Sequence, residues 1–141
     1  MVILDTDHMS LLEWTGSPQS QNLESRLNHL AAEEIATTVI NYEEQLRGWM
    51  TVLSKAPKLK DQIDIYGRLR SQLRIFCGLT ILTFDENAAV EFARLKKEYP
   101  RLGTMDLKIA AIVLSQVGTL LSRNRKDFGQ IAGLKLEDWT I

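Results

Sequence analysis

The sequence has one cysteine, Cys77, and no long uninterrupted apolar run. A single cysteine excludes an internal disulfide and a cysteine-cluster zinc site, so we expect a reducing, cytoplasmic setting. Cys77 lies in the apolar stretch RIFCGL and is predicted to be packed core rather than a nucleophile. No segment reaches the ~20 apolar residues of a membrane span. The first residues also lack the basic flank and small-residue cleavage site of a signal peptide.

Motifs for nucleotide-driven chemistry and for hydrolase triads are also missing. Neither G-x-x-x-x-G-K nor G-x-G-x-x-G occurs in the sequence. His8 and His29 have no serine, cysteine or second histidine at motif spacing. Any chemistry must therefore come from other groups.

The composition is that of an ordinary globular protein, with 45% hydrophobic and 25% charged residues. A length of 141 residues predicts a single domain spanning 1–141. The net charge is −1, but its distribution is uneven. Residues 1–46 carry eight acids and one base, whereas residues 47–74 carry seven bases and two acids. This asymmetry indicates either two solvated helix faces or a basic surface with a function.

Short β-rich apolar runs alternate with amphipathic segments along the chain. The predicted strands are MVIL at the start, 35–40, 79–84, 118–123 and a short edge strand at 134–139. The predicted helices are 7–15 capped by Asp7 or Thr6, 19–32, one from Asn41 to the break at Pro57, 58–75, 86–98 capped by Asp85, and 105–117. The alternation predicts an α/β fold with a central, mostly parallel sheet of four to five strands and helices on both faces.

Carboxylates cluster where these strands end. Asp5 and Asp7 follow the first strand, Glu43 and Glu44 follow the second, and Asp106 begins the helix before the fourth. Asn124 and Asp127 follow the fourth strand. Since ligands of parallel sheets bind beyond the carboxyl ends of the strands, these groups are predicted to share one edge. Grouped carboxylates repel one another, and a hard cation such as Mg²⁺ or Mn²⁺ removes that cost and activates water for phosphodiester hydrolysis.

Each acid also has a purely structural interpretation. Asp106 is suited to capping a helix, and Glu43 and Glu44 are suited to an exposed helix face. Asn124 and Asp127 are common turn formers. An acid directly after an apolar strand, such as Asp5, has no comparable structural use. Together, on one edge, the acids favour a metal site.

Four stretches resemble the PIN-domain toxins of the VapC type. They are LDTDHMSLL, TTVINYEEQLRG, GTMDLKIAA and LLSRNRKDFGQIAGLKLEDW, in order from residue 1 to residue 140. The resemblance implies a PIN-like fold, an endoribonuclease that depends on Mg²⁺ or Mn²⁺, and a toxin that forms a homodimer and is neutralised by a separate antitoxin.

The resemblance also assigns site residues. Asp5, Glu44 and Asp106 match the three metal-binding acids, and Asn124 occupies the fourth catalytic position, where other members carry an acid. The accessory acids are Asp127, Asp7 and Glu43. Glu43 is included because it would take the place of Glu44 if the second motif were aligned one residue earlier. The basic residues expected to contact RNA phosphates are Lys55, Lys58, Lys60, Arg68, Arg70 and Arg74. Apolar residues that exceed the needs of a core, and are expected to receive an antitoxin helix or a second copy, are Leu11, Trp14, Trp49 and Met50.

Two other functions stay open at this point. A phosphatase that uses an aspartate nucleophile also begins with an Asp-x-Asp pair, which LDTD imitates, but the chain lacks the late acidic pair of that family. A catalytically inactive PIN-like module that binds RNA or protein would show the loss of an acid, as Asn124 does. Retention of the other three acids favours the enzyme.

Overall fold

The computed structural model describes residues 1–141 and contains a five-stranded sheet in which all neighbouring strands are parallel. The strands are β1 (Val2–Leu4), β2 (Ile35–Thr38), β3 (Thr80–Leu82), β4 (Thr119–Leu121) and β5 (Lys135–Glu137), in the spatial order β3-β2-β1-β4-β5. The first strand is therefore central, and β3 and β5 form the two edges of the sheet. The predicted mostly parallel sheet of four to five strands is confirmed.

Seven helices connect or follow these strands. They are α1 (Thr6–Glu13), α2 (Pro18–Leu27), α3 (Val39–Ser54), α4 (Leu59–Cys77), α5 (Glu86–Glu98), α6 (Thr104–Gln116) and the single turn α7 (Arg125–Phe128). A 3₁₀ turn, Ala32–Glu34, precedes β2. None of the helices combines the length and the apolar character needed to cross a bilayer.

The sheet separates two hydrophobic cores, because successive side chains of a strand point to opposite faces. Ile3 of β1 packs in the core that holds α5, α6 and α7, and the apolar run of α6 makes it the larger of the two. Val2 and Leu4 pack on the other face with Met9 of α1, Leu23 of α2 and Phe76 of α4. Helices on both faces are thus confirmed.

Helices α3 and α4 form an antiparallel hairpin. The Tyr42 ring of α3 meets the Phe76 ring of α4 edge-on, with centroids 5.1 Å apart. Farther along, the Gln72 side chain donates to the Gln45 carbonyl oxygen. The base of the hairpin therefore lies near the start of α3, and its tip is the connection around Pro57.

Several predicted boundaries are wrong by a few residues. The second strand ends at Thr38 rather than at residue 40, because the Thr38 hydroxyl accepts the Asn41 backbone N–H at 3.2 Å and starts α3 there. The helix predicted over 19–32 ends at Leu27. Helix α7 was not predicted, because a single turn leaves no periodicity to detect.

Two helix-start predictions have different outcomes. Asp85 caps α5 as predicted, since its carboxylate accepts the Ala88 N–H at 2.9 Å. Neither Asp7 nor Thr6 caps α1, because that helix begins at Thr6 and the cap position falls on Asp5. The Asp5 side chain makes no capping hydrogen bond and is therefore free for another role.

The prediction that Cys77 is packed core is wrong, since this residue is exposed. It occupies the last position of α4, one residue after the buried Phe76. Neighbours on a helix lie about 100° apart, so the apolar stretch around Cys77 winds across both the inner and the outer face.

Candidate functional site

The carboxyl edge of the sheet collects acidic residues from four distant segments. Asp5 follows β1, Glu44 lies in the second turn of α3, and Asp106 lies in the first turn of α6. Asp127 lies in α7, just beyond β4. Because β1 is the central strand, the segments leaving the ends of β1, β2 and β4 converge beside it.

Asp5 is the most enclosed of these acids, with 7% of its surface exposed. The Asn41 amide donates to Asp5 Oδ1 at 2.9 Å, and the Ser122 hydroxyl donates to Oδ2 at 2.7 Å. Both partners are completely buried and come from the segments on either side of β1. The carboxylate is therefore held in one orientation by two donors that favour its ionised form and partly oppose the effect of burial.

Glu44, and not Glu43, faces Asp5. The Thr6 hydroxyl donates to Glu44 Oε1 at 3.0 Å. Glu43 instead forms an ion pair with Arg47 one turn later, at 2.7 Å between Nη2 and Oε2. The structure thus places Glu44 at the edge of the sheet and Glu43 on the outer side of α3.

Asp106 has no hydrogen-bonding partner for its carboxylate. The cap position of α6 is Gly103, where no side chain caps the helix, so the capping interpretation of Asp106 is not supported. The carboxylate lies close to Gly103, since Asp106 Oδ2 is 3.8 Å from the position that a Cβ would take at this glycine. The carboxylate is half-buried and available.

Asn124 and Asp127 have different surroundings after β4. Asn124 is the N-cap of α7: its carbonyl oxygen accepts the Asp127 N–H at 3.3 Å, and its amide donates to Asp127 Oδ2 at 3.2 Å. The charge of Asp127, in turn, acts on the Asp106 carboxyl. Asn124 therefore orients Asp127, the acid after β4 whose charge raises the pKa of Asp106.

The pKa values of the three central carboxyls report their crowding. Burial is the main cause that raises the pKa of Asp5, and repulsion from Asp7 adds to it. Burial also raises the pKa of Glu44, with further contributions from the charges of Asp5 and Asp106. The pKa of Asp106 is raised by burial and by the charges of Asp5 and Asp127. No lysine or arginine forms an ion pair with any of these groups.

This donor set fits a hard divalent cation. Carboxylate oxygens are the protein ligands that Mg²⁺ and Mn²⁺ prefer, and a cation would relieve the burial and repulsion of these charges. No three acidic, histidine or cysteine side chains are close enough in the structure to enclose an ion by themselves. Mg²⁺ usually keeps several waters and binds through one or two carboxylates, so such enclosure is not required.

The predicted RNA-binding residues do not all surround this edge. Lys55, Lys58 and Lys60 are exposed at the tip of the α3–α4 hairpin. Lys55, which directly follows α3, is 11 residues beyond Glu44, or about 16 Å along the helix axis. Arg70 and Arg74 are exposed nearer the base of the hairpin.

Arg68 has a different contact, because its guanidinium lies over the Trp14 ring, 4.0 Å from the centroid. Trp14 is 53% exposed and Met50 is 41% exposed, so the prediction of surplus apolar surface is confirmed for these two side chains. Trp49 and Leu11 are partly buried.

Sequence reasoning missed the polar residues that hold the acids. Asn41, Thr6 and Ser122 each donate to a site carboxylate. The only sequence feature that could have pointed to these three residues is that each lies within a few residues of a predicted strand end. Hydrogen bonds between residues 36 and 117 positions apart in sequence have no local pattern.

A parallel α/β domain with an acid cluster at the carboxyl edge is typical of metal-dependent nucleases and phosphatases. The PIN-domain family model matches residues 2–134. The chain belongs to the PIN-domain family. A comparison with curated proteins found no match.

Solved structures with the same fold include toxin–antitoxin proteins. VapBC2 from Rickettsia felis, bound to a DNA fragment from its promoter, is similar at 26% identity and a TM-score of 0.71, with 99% of each chain covered. VapBC-1 from nontypeable Haemophilus influenzae is similar at 22% identity and a TM-score of 0.75, with 100% of each chain covered. FitAcB from Neisseria gonorrhoeae is similar at 22% identity and a TM-score of 0.72, with 99% of this chain and 98% of that chain covered.

Proposed function

We propose that this chain is a metal-dependent endoribonuclease and the toxin of a toxin–antitoxin pair. The observation that carries the proposal is the convergence of Asp5, Glu44 and Asp106, with raised pKa values and no basic side chain paired to them. A fold that keeps such charges together in its apo form gives up stability to do so. A bound divalent cation recovers that stability and explains the arrangement.

In this proposal, Asp5, Glu44 and Asp106 surround Mg²⁺, one or two of them as direct ligands and the rest through its bound waters, with Mn²⁺ as a substitute. When bound, the cation neutralises developing charge on a phosphate and lowers the pKa of a bound water. Asn41 and Ser122 orient Asp5, and Thr6 orients Glu44. Asp127 takes the place of the fourth acid, and Asn124 holds it through two hydrogen bonds.

The substrate in this proposal is RNA, and its phosphates would meet the exposed base-rich hairpin. Arg70 and Arg74 are exposed nearer the base of the hairpin, and Lys55, Lys58 and Lys60 are exposed at its tip, so these five residues are the proposed phosphate contacts. Such contacts supply salt-dependent affinity with little sequence information. We therefore expect cleavage to weaken steeply with ionic strength.

The toxin role rests on family membership and on similar structures solved as VapBC and FitAB assemblies. The chain is proposed to bind a cognate antitoxin and to form a homodimer. Exposed apolar side chains such as Trp14 and Met50 are the kind of surface that a partner covers.

The decisive experiment is cleavage of total cellular RNA by the purified protein in Mg²⁺, Mn²⁺ or excess EDTA. Asp5→Asn and Asp106→Asn should each lower metal-dependent cleavage by at least about 100-fold, the loss typical when an electrostatic group of an active site is removed. Asp61→Asn, which removes an exposed acid from α4, is the matched control and should cleave like the wild type. Cleavage that survives EDTA, or that all three variants retain, would contradict the proposal.

The inactive-module alternative rests on Asn124 at the fourth position. It predicts an RNA-binding protein that never cleaves, with or without metal. Growth inhibition by the wild type and its loss in Asp106→Asn would favour the enzyme. The phosphatase alternative needs a lysine at the acid cluster, and the Lys108 ammonium instead lies 5.8 Å from the centroids of the Phe84 and Phe92 rings.

A further inference from the structure

His8 is a completely buried polar side chain beside the acid cluster. It lies in α1, three residues after Asp5, and none of its surface is exposed. Its Nδ1 lies 2.6 Å from Asp7 Oδ1, and its Nε2 accepts the Trp139 backbone N–H at 3.1 Å. A merely apolar position in this core would be filled better by leucine or methionine, so both ring nitrogens call for an explanation.

These contacts define which ring nitrogen carries the proton. The backbone N–H of Trp139 can only donate, so Nε2 is unprotonated and Nδ1 holds the hydrogen. Nδ1–H therefore donates to Asp7. Asp138 Oδ1 lies 3.7 Å from Nε2, too far for a hydrogen bond that would reverse this arrangement.

The carboxylate of Asp7 is occupied on both sides. Oδ1 accepts from His8, and Oδ2 accepts the Arg123 backbone N–H at 2.9 Å and lies 3.3 Å from the Ser122 hydroxyl oxygen, whose single proton is donated to the nearer Asp5. Arg123 begins the turn that carries Asn124 and Asp127, and the Ser122 hydroxyl also holds Asp5. Asp7 thus touches the segments that place two site acids, while its own oxygens are already in use.

The opposite end of this chain of hydrogen bonds is firmly anchored. The Trp139 side chain lies under the Arg26 guanidinium, 4.4 Å from ring centroid to Cζ, and Thr140 O accepts the Asn22 amide at 3.0 Å. Both partners belong to α2. The C-terminal segment is therefore fixed to the body of the fold and provides a rigid support for His8.

We infer that Asp7 and His8 form a positioning pair that fixes the turn after β4 and the orientation of Asp5 for metal binding, and that Asp7 is not itself a ligand. The inference rests on the proposed function, because it concerns the same metal site. Outer partners that orient metal ligands typically change metal affinity or activity by about 10–100-fold when they are lost. The pair extends this support from the site to the C-terminal segment.

Two amide substitutions at His8 separate the two hydrogen bonds without changing any site charge. In His8→Asn the amide nitrogen takes the place of Nδ1 and keeps the donor to Asp7, while the acceptor for Trp139 is lost. In His8→Gln the carbonyl oxygen takes the place of Nε2 and keeps that acceptor, while the donor to Asp7 is lost. Both variants remove the same ring from the same core, so each controls for the packing loss of the other.

The measurement is Mn²⁺ affinity by titration calorimetry, with thermal unfolding of each metal-free variant alongside. His8→Gln should bind Mn²⁺ about 10-fold more weakly than His8→Asn although both unfold at similar temperatures. Equal affinities in two folded variants would overturn the inference and leave the proposed function intact. A wild-type protein that binds no Mn²⁺ and cleaves no RNA would overturn the proposed function together with the inference.

A second measurement needs no variant and decides the matter if both substitutions prevent folding. Long-range proton–nitrogen NMR spectra of the ¹⁵N-labelled wild type should show His8 protonated at Nδ1 and unprotonated at Nε2. Titration with Mg²⁺ should shift the His8 ring and the Trp139 amide with one common dissociation constant. The opposite tautomer, or resonances that do not respond to Mg²⁺ while the wild type binds it, would contradict the positioning role.

Discussion

Asp5, Glu44 and Asp106 differ in how they are supported. Asp5 accepts two hydrogen bonds from buried donors and Glu44 accepts one, whereas the Asp106 carboxylate accepts none. All three have raised pKa values, with burial as the leading cause. The metal-free fold therefore offers the Asp106 carboxylate the fewest stabilising contacts of the three. Replacement of Asp106 should change the free energy of unfolding and the proposed cleavage in opposite directions.

Asp106→Asn should stabilise the metal-free protein at pH 7 while abolishing cleavage. The amide keeps the shape of the side chain but removes a half-buried charge that faces Asp5 and Asp127. We expect a gain of roughly 1 kcal/mol, or about 3 °C in melting temperature, for a domain of this length. Calorimetry in EDTA measures it, with Asp61→Asn as the control. A melting temperature below that of the wild type would show that the carboxylate makes stabilising contacts in the apo protein.

The gain in stability of Asp106→Asn over the wild type should increase as the pH rises. A carboxyl whose pKa is raised by folding binds more protons in the folded than in the unfolded state, so the free energy of unfolding decreases as the pH rises through that window. The window begins near 3.8, the ordinary value for aspartate, and ends above the raised pKa of Asp106. The stability advantage of Asp106→Asn should be absent well below pH 3.8 and complete once the pH lies above the raised pKa of Asp106. Denaturant titrations across this range test it, and an advantage that is independent of pH would rule out relief of charge as its cause.

At the scale of elements, the site depends on how helices begin. Thr38 ends β2 and starts α3: its hydroxyl accepts the Asn41 backbone N–H at 3.2 Å and donates to Oδ1 of the Asn41 side chain at 2.7 Å. Asn41 then donates to Asp5. The turn that begins α3 is therefore also the support of the most buried acid.

Thr38→Ala should weaken both the fold and the proposed activity. It removes a helix cap, which costs about 0.5–2 kcal/mol, and it leaves the buried Asn41 Oδ1 without its donor, at about 1–3 kcal/mol. We expect a loss of roughly 2–3 kcal/mol in the free energy of unfolding and slower cleavage at saturating Mg²⁺. Thr38→Ser keeps the hydroxyl and should lose only about 1 kcal/mol for the missing methyl group. Equal losses in the two variants would assign the effect to packing rather than to the hydroxyl.

Helix α6 ends in a conformation that does not suit its residue. Val117 has φ 53° and ψ 41°, in the left-handed region, and 81% of its surface is exposed. For a residue with a Cβ this region costs about 1–2 kcal/mol, whereas glycine adopts it freely but loses about 0.5–1 kcal/mol of chain entropy. Val117→Gly should therefore stabilise the protein by about 0.5–1 kcal/mol in urea unfolding.

Val90→Gly is the matched control for this substitution. Val90 is 70% exposed in the interior of α5, so its replacement should destabilise the protein by roughly 0.3–0.5 kcal/mol, the difference in helix propensity between valine and glycine. If both glycine variants destabilise the protein, strain at Val117 is not the governing factor.

These elements also show what a sequence can and cannot predict. Helix α5 and its Asp85 cap were predicted correctly, because capping residue and apolar period agree locally. The common edge of Asp5, Glu44 and Asp106 followed from the parallel arrangement of strands alone. The hydrogen bonds of Asn41 and Ser122 did not follow, because they join segments that only the folded sheet brings together. Cys77 was predicted to be buried, because an apolar stretch does not specify which residues face outward at a helix end.

At the scale of the whole molecule, the sheet and its two cores are well covered, but the α3–α4 hairpin is not. Leu59, Ile63, Tyr66 and Leu73 of α4 are 76%, 73%, 56% and 51% exposed. Their spacing of three, four and seven residues places them along one stripe of the helix. Exposed stripes of this kind are usually covered by another protein surface.

We expect this stripe to form the contact between two copies of the chain. Residues spaced at seven can pack against their own equivalents across a two-fold axis, since the same patch then serves both subunits. We expect the wild type to sediment as a dimer, and substitution of Ile63 and Tyr66 by glutamate should convert it to a monomer in sedimentation velocity, because the new charges would be buried without partners. Val90→Glu, at a similarly exposed position on α5, should leave the dimer intact. A doubly substituted protein that stays dimeric would place the contact between copies elsewhere. In that case the α4 stripe would be left to bind the antitoxin, and the doubly substituted protein should no longer co-purify with that partner.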